Sequence, residues 1–138
     1  MVGGGAVHSG AAEEVLRFAR KTGMPVVNTL MGIGVFPGSD RQCLGLTGMH
    51  GHIAANMAVA NADVLIVAGS RFSERVTGDR NRYVGKKTII QLDIDPSEVD
   101  KNVMTALPLV GDMKENLNKL SERVKKLDIE HWWHTIKA

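Results

Sequence analysis

Glycine-rich turns and two arginines are the residues whose types and spacing best suit binding of a phosphate-bearing ligand. Three glycines, Gly3 to Gly5, precede a helix-like pattern, and Gly69-Ser70-Arg71 follow the apolar stretch VLIVA. Glycine lets a backbone approach a ligand, helix N-termini offer N–H groups to anions, and the guanidinium groups of Arg71 and Arg75 suit phosphate oxygens. The same glycines also suit a tight corner between a strand and a helix, so the turn alone leaves both interpretations open.

Other reactive side chains form no comparable pattern. None of the candidate serine nucleophiles lies in a nucleophile-elbow motif; the candidates are Ser9, Ser70 and Ser73. Cys43 lies in a loop pattern with no adjacent histidine. Three histidines lack the cysteine or paired-carboxylate spacing of a metal site, namely His8, His50 and His52. The sequence therefore predicts no catalytic residue and no metal ligand.

The elements that must position these residues alternate between strands and helices. Apolar runs predict strands at residues 25–30, 63–70, 88–94 and 107–110. Helical periodicity predicts helices at residues 9–22, 51–62 and about 112–126. This alternation is typical of the α/β class with a mostly parallel sheet. Residues 31–40 and 71–86 are predicted to be irregular, and residues 131–138 a tail.

Capping signals refine the helix bounds. Ser9 is the expected N-cap of the first helix, and Glu13 and Glu14 suit its first turn through the helix dipole. Gly23 is suited to end that helix in a left-handed conformation. Asp112 is the expected N-cap of the last helix.

The unusual residues fall where the predicted strands end. Ligands of parallel α/β sheets bind beyond the carboxyl ends of the strands. Asp93, at the end of the strand TIIQLDI, is placed to accept hydrogen bonds from ribose hydroxyls. The strand PVVNTL ends without an acid, and the glycine turn does not follow GxGxxG, so an ordinary NAD site is disfavoured.

Composition limits the function classes. The 138 residues predict one domain, and a net charge of +2 gives no argument for nucleic acid or an anionic membrane. Aromatic residues make up only 4%, which disfavours base stacking. No apolar run reaches the roughly 18 residues of a membrane span. A single cysteine and the lack of a leader pattern favour the cytoplasm.

Four stretches in order resemble the central domain of the large, catalytic subunit of acetolactate synthase (acetohydroxyacid synthase). They are PVVNTLMGIGVFPGSD, LGLTGMHGHIAANMAVANADVLIVAGSRFSERVTGD, IIQLDIDPSEVDKN and LPLVGD. The resemblance covers residues 1–127, which we interpret as the domain, and residues 128–138 then form a C-terminal tail leading to a further domain. It implies a Rossmann-like, three-layer fold with six parallel strands in the order 3-2-1-4-5-6.

The resemblance also implies cofactors and partners. In this family the flanking domains bind thiamine diphosphate and Mg²⁺ across a subunit interface, and the enzyme converts pyruvate to 2-acetolactate in branched-chain amino-acid biosynthesis. The central domain of flavin-dependent members binds FAD, mainly through its ADP half and ribityl chain. FAD is therefore the cofactor expected here. A second subunit is the expected partner, and for this chain alone marginal stability, pairing with a second copy and rearrangement at Met1 and Val2 are the alternatives.

Eighteen residues carry the implied FAD contacts. In the first half of the chain they are Gly3, Gly4, Gly5, Thr29, Leu30, Leu46, Gly48, Met49 and His50. In the second half of the chain they are Gly69, Ser70, Arg71, Arg75, Val76, Asp93, Ile94, Asp112 and Met113. The family reads RFDDRVTG where this chain reads RFSERVTG, which leaves both arginines in place.

One departure from the family bears on stability and activity. The family has a longer apolar first strand before its glycines, whereas only Met1 and Val2 precede them here. A shortened central strand is expected to expose a seam with unpaired backbone groups. The thiamine-binding pattern GDG…NN does not occur, so we expect no acetolactate formation by this chain alone. A structural module with a vestigial flavin site and an NAD-binding domain remain alternatives to FAD binding.

Overall fold

The computed structural model describes residues 1–137 as alternating strands and helices around a parallel sheet. The strands are β1 (Val26–Asn28), β2 (Cys43–Leu46), β3 (Val64–Ala68), β4 (Thr88–Asp93) and β5 (Leu107–Val110). The helices are α1 (Gly4–His8), α2 (Ala12–Thr22), α3 (Ile53–Asn61), α4 (Glu74–Thr77), α5 (Arg80–Val84), α6 (Met113–Arg123) and α7 (Glu130–Lys137). Two 3-10 turns cover Leu30–Gly32 and Pro96–Glu98.

Val2 joins the two halves of the sheet. It forms parallel bridges to Asn28 of β1 and to Ala68 of β3. β2 pairs with β1, and β3, β4 and β5 pair in that order, all in parallel. Counting Val2 as a minimal first strand, the spatial order is β2-β1-Val2-β3-β4-β5. This is the 3-2-1-4-5-6 order that the resemblance implied.

Helices cover both faces of the sheet, which gives three layers. On one face Phe18 of α2 and Leu117 of α6 are buried in a core with Leu92 of β4. On the other face Val59 of α3 is buried with Val67 of β3. Because successive residues of a strand point to opposite faces, strands buried on both sides read as continuous apolar runs. The predicted α/β class with a parallel sheet is confirmed.

The helix predicted over residues 9–22 begins later, at Ala12, and α1 (Gly4–His8) is a separate short helix that the sequence analysis did not predict. Gly10 adopts a left-handed conformation (φ 64°), which ends α1 and separates it from α2. Ala11 precedes α2 as its N-cap, so the prediction of Ser9 as N-cap was wrong; Ser9 instead follows the end of α1. The expected C-terminal end of α2 is confirmed, since Gly23 has φ 79°.

Several elements were missed by the sequence analysis. β2 lies in a stretch to which no strand was assigned, and α4 and α5 lie in the stretch predicted to be irregular. The last residues, predicted to be a tail, contain α7, which packs near α3. The indole N–H of Trp133 donates to the carbonyl oxygen of Gly23 at 3.0 Å. Among residues 1–137, no helix combines the length and the apolar character needed to cross a bilayer.

Candidate functional site

The carboxyl ends of the strands meet along one edge of the sheet. The backbone N–H of Gly69 donates to Leu92 O, and that of Gly111 donates to Asp93 O, each at 2.9 Å. On the other side the N–H of Thr29 donates to Val2 O, also at 2.9 Å. The segments in which the sequence analysis placed its site residues are therefore neighbours.

The glycine turn packs backbone against backbone on the end of β3. The N–H of Gly5 donates to Gly69 O at 2.9 Å, and a Cβ at Gly5 would lie 2.7 Å from Gly69 Cα. A Cβ at Gly3 would collide with the same carbonyl oxygen, and one at Gly69 would lie 2.6 Å from Ala6 N. Gly69 also has φ 68°. Close packing alone therefore requires glycine at positions 3, 5 and 69.

Gly4 differs from its two neighbours in the turn. A Cβ built there would lie nearest to the side chain and carbonyl of Met31, with the closest atom at 3.1 Å, and Gly4 is half-buried. The tight-corner interpretation thus accounts for Gly3 and Gly5, whereas Gly4 remains accessible beside the exposed side chain of Met31.

A second loop, residues 46–51, is held by two side chains of the following helix region. Asn56 Oδ1 accepts from Gly48 N at 2.9 Å and from Thr47 Oγ1 at 3.0 Å, while its Nδ2 donates to Gly48 O at 3.0 Å. His52 Nδ1 accepts from Leu46 N at 3.0 Å. Sequence reasoning missed both positioning residues, because their partners lie in a loop with no regular pattern.

The two arginines expected at the site are exposed and lie on segments anchored through their backbones. Arg75 O accepts from Met49 N at 2.9 Å, which ties the 46–51 loop to α4. Arg71 O accepts from Asn102 Nδ2 at 2.7 Å. Both guanidinium-bearing residues are exposed. Their backbones are fixed while their side chains remain available for an anion.

Large apolar side chains are exposed at the same edge. Leu30 is 69% exposed, Met49 72% and Ile94 73%, and each follows or flanks the end of a strand. Met31 is also exposed, at 68%. Single exposed apolar residues are common, but a group along one edge is typical of a ligand or protein contact surface.

The acidic residues of the site have structural partners. Asp93 is buried, and its Oδ1 accepts from Asp95 N at 3.0 Å. Hydrogen bonds from the hydroxyl and backbone N–H of Ser97 lower the pKa of Asp95. Asp112 Oδ1 accepts from Glu115 N at 2.9 Å, which confirms it as the N-cap of α6.

The remaining predicted site residues differ in accessibility. Met113 is 4% exposed and belongs to the core, so only its backbone is available to a ligand. Ser70 is buried, and Val76 packs against the hydrophobic core between α3 and β3. His50 is exposed in the 46–51 loop. Among residues 1–137 no three His, Cys, Asp or Glu side chains form a group able to hold a metal ion.

Comparison with known proteins gives a family match over most of the chain. The family described as "Thiamine pyrophosphate enzyme, central domain" matches residues 1–120. That range contains every residue of the candidate site.

Individual relatives agree with this match. The chain is 48% identical over 130 residues to a probable acetolactate synthase large subunit of Methanocaldococcus jannaschii, covering 94% of this chain and 22% of that protein. It is 42% identical over 139 residues to the acetolactate synthase large subunit of Buchnera aphidicola, covering 98% and 24%. The large subunit of Haemophilus influenzae is 40% identical over 141 residues, covering 98% and 25%. The chain thus spans about a quarter of the length of these relatives.

Proposed function

This chain belongs to the family of thiamine pyrophosphate enzyme central domains, and from that premise we propose that it serves an acetolactate synthase large subunit as its FAD-binding domain. FAD lies along the carboxyl edge of the sheet and is held chiefly through its ADP half. The whole enzyme then converts pyruvate to 2-acetolactate. Its thiamine diphosphate and Mg²⁺ are bound by flanking domains and a second subunit.

One observation carries the FAD proposal: exposed arginines and exposed apolar side chains share the edge at which the strands end. The guanidinium groups of Arg71 and Arg75 suit the pyrophosphate, because forked donors pair with phosphate oxygens. Leu30, Met49 and Ile94 supply apolar contacts for the faces of the adenine and flavin rings. The residues present therefore fit a dinucleotide with apolar rings.

Asp93 is the acceptor proposed for the ribose hydroxyls. One of its carboxylate oxygens is committed to Asp95 N, and the carboxylate has a second oxygen. The corresponding position after β1 is Thr29, which is not an acid, so the pattern of an ordinary NAD site is lacking at that strand. This difference supports FAD over NAD.

A structural module without a cofactor is the second candidate, and the packing of the glycine turn favours it. Gly3, Gly5 and Gly69 are required by mutual backbone contact, so they need no ligand to explain them. The exposed arginines have no such structural explanation. We therefore retain FAD binding as the leading proposal.

Titration of the flavin-free chain with FAD, followed by flavin fluorescence, tests the proposal. ADP, FMN and NADH serve as competitors. Saturable FAD binding that ADP displaces and FMN does not is expected, because the ADP half carries the contacts. A folded chain that binds no FAD indicates either a structural module or a pocket that the flanking domains complete, and binding of NADH in preference to FAD indicates the NAD-binding alternative. Incubation with pyruvate, thiamine diphosphate and Mg²⁺ is expected to yield no acetolactate.

A further inference from the structure

The chain leaves β3 through a strained turn at Arg71 and Phe72. Phe72 has φ 53°, in the left-handed region that residues other than glycine rarely adopt. Such a conformation costs free energy and persists only where the surrounding contacts hold it. The ring of Phe72 is 1% exposed and meets the ring of Tyr83 edge to face, with 6.2 Å between the ring centroids. Because Phe72 directly follows Arg71, the contacts that hold this turn also set the backbone of Arg71.

The 99–106 loop, which joins the second 3-10 turn to β5, holds the strained turn in place. Asn102 Nδ2 donates to Arg71 O at 2.7 Å. The next residue of the loop, Val103, is buried in the same hydrophobic core as Phe72. The carbonyl of Arg71 lies in the peptide plane whose orientation sets ψ of Arg71 and φ of Phe72. The hydrogen bond from Asn102 therefore fixes both angles.

The 99–106 loop is itself fastened to the sheet. Asp100 has a left-handed backbone (φ 57°), and its Oδ1 accepts from Thr105 N at 2.7 Å. Thr105 Oγ1 donates to Oε1 of Gln91, a fully buried residue of β4, at 2.8 Å. The N–H of Ala106 donates to Ile89 O, also in β4, at 2.9 Å. The position of Asn102 is thus set by β4.

We propose that Asn102 is a positioning residue of the candidate functional site, which acts through Arg71 on the pyrophosphate of the bound dinucleotide. This inference rests on the proposed function of that site. Without the hydrogen bond, the peptide between Arg71 and Phe72 turns to relieve the strain at Phe72, and ψ of Arg71 changes with it. Because the rotamers open to a side chain depend on its backbone angles, the guanidinium group then loses its fixed direction. A group already held in its bound direction costs less to order, so Asn102 raises the affinity without touching the ligand.

A double-substitution cycle on the full chain, with FAD affinity read by flavin fluorescence, tests the proposal. Asn102→Ala is expected to raise the Kd for FAD about fivefold, the equivalent of one net hydrogen bond. In the Arg71→Ala background the same substitution is expected to leave the Kd unchanged, because the side chain through which Asn102 acts is gone.

Asn61→Ala is the matched control. Asn61 Nδ2 also donates to a backbone carbonyl, that of Met57, at 2.9 Å. It lies at the end of α3 that leads into β3, whereas Arg71 follows the other end of that strand. Asn61→Ala is therefore expected to bind FAD with unchanged affinity.

A comparison of ADP with adenosine gives a readout that a loss of stability alone would not move. Adenosine lacks the pyrophosphate, so Asn102→Ala is expected to weaken ADP binding about fivefold and to leave adenosine binding unchanged. Circular dichroism verifies the fold, which should be retained because Asn102 is only half-buried and Val103 keeps its place in the core. Asn102→Ser, whose side chain is too short to reach Arg71 O, is a second variant with the same expected result.

The outcomes separate this inference from the FAD-binding proposal on which it rests. Equal losses of FAD affinity on Asn102→Ala with and without the Arg71 side chain overturn the inference, because Asn102 then acts by another route. An unchanged Kd for Asn102→Ala, in a chain that binds FAD, overturns it as well and leaves the FAD-binding proposal standing. If the unsubstituted chain binds neither FAD nor ADP, the inference fails together with FAD binding by this chain.

Discussion

Gly5 donates its backbone N–H to the carbonyl oxygen of Gly69 at 2.9 Å, and a side chain on either residue would collide with the backbone of the other. This contact joins the turn that opens the chain to the end of β3. It holds α1 against the topological switch point of the sheet, which is where ligands of such folds bind. The glycines thus shape the candidate site through packing, whatever they contribute to a ligand directly.

Gly69→Ala is expected to lower the free energy of unfolding by about 2–4 kcal/mol, through strain at positive φ and collision with the Gly5–Ala6 backbone. Urea unfolding followed by circular dichroism measures the change. Gly23→Ala is the matched control: Gly23 has φ 79°, and a Cβ there meets nothing within 4 Å. An equal loss in both variants would contradict the close-packing argument, since only strain would then count.

Asn56→Ala is expected to loosen the 46–51 loop, because three hydrogen bonds to Thr47 and Gly48 are lost. At about 1 kcal/mol for each net bond, local opening becomes easier by roughly 2–3 kcal/mol. Hydrogen exchange at the amide of Gly48 reports this opening. Asn61→Ala provides the comparison, since Asn61 bonds only to Met57 O on the same helix. An unchanged rate of hydrogen exchange at the Gly48 amide in Asn56→Ala would show that the Asn56 side chain does not hold the 46–51 loop.

The long apolar runs made β3 and β4 predictable from sequence. Strands buried on both faces need no partner information to be recognised, and the N-cap at Asp112 is a local signal. The same strands predicted the location of the candidate site, because the carboxyl ends of parallel strands lie along one edge of the sheet.

The missed features depend on contacts between distant residues. β2 contains Gly45 in a left-handed conformation, and it is a strand only because β1 lies beside it. The contact between Gly5 and Gly69 joins positions 64 residues apart and has no sequence signature. The late start of α2, after Gly10, was the exception, since glycine was visible there as a weak helix former.

Arg71→Ala is expected to weaken FAD binding by about 1.5–3 kcal/mol, if its guanidinium group makes charge-assisted hydrogen bonds to the pyrophosphate. The fold should be retained, because Arg71 is exposed and its backbone contact to Asn102 does not need the side chain. Fluorescence titration measures the affinity. Arg123→Ala, at the far end of α6, removes the same charge and should bind FAD normally. Equal affinities of the two variants would remove Arg71 from the site.

The stability of the chain is expected to depend on pH through the amino group of Met1. Burial lowers its pKa from 8.0 to about 5. Between these values the unfolded chain binds the proton and the folded chain does not, so the free energy of unfolding falls as the pH is lowered. From pH 8 to pH 6 this group alone should cost about 2 kcal/mol, and below pH 5 its contribution no longer changes.

Urea unfolding at pH 6 and pH 8 measures this cost in a preparation whose intact Met1 is verified by mass. The Nα-acetylated chain is the control, because its terminus cannot take up a proton while all other titrating groups are the same. The acetylated chain should lose less stability on acidification than the free chain. Equal losses in both chains would mean that the Met1 amino group is solvated in the folded state.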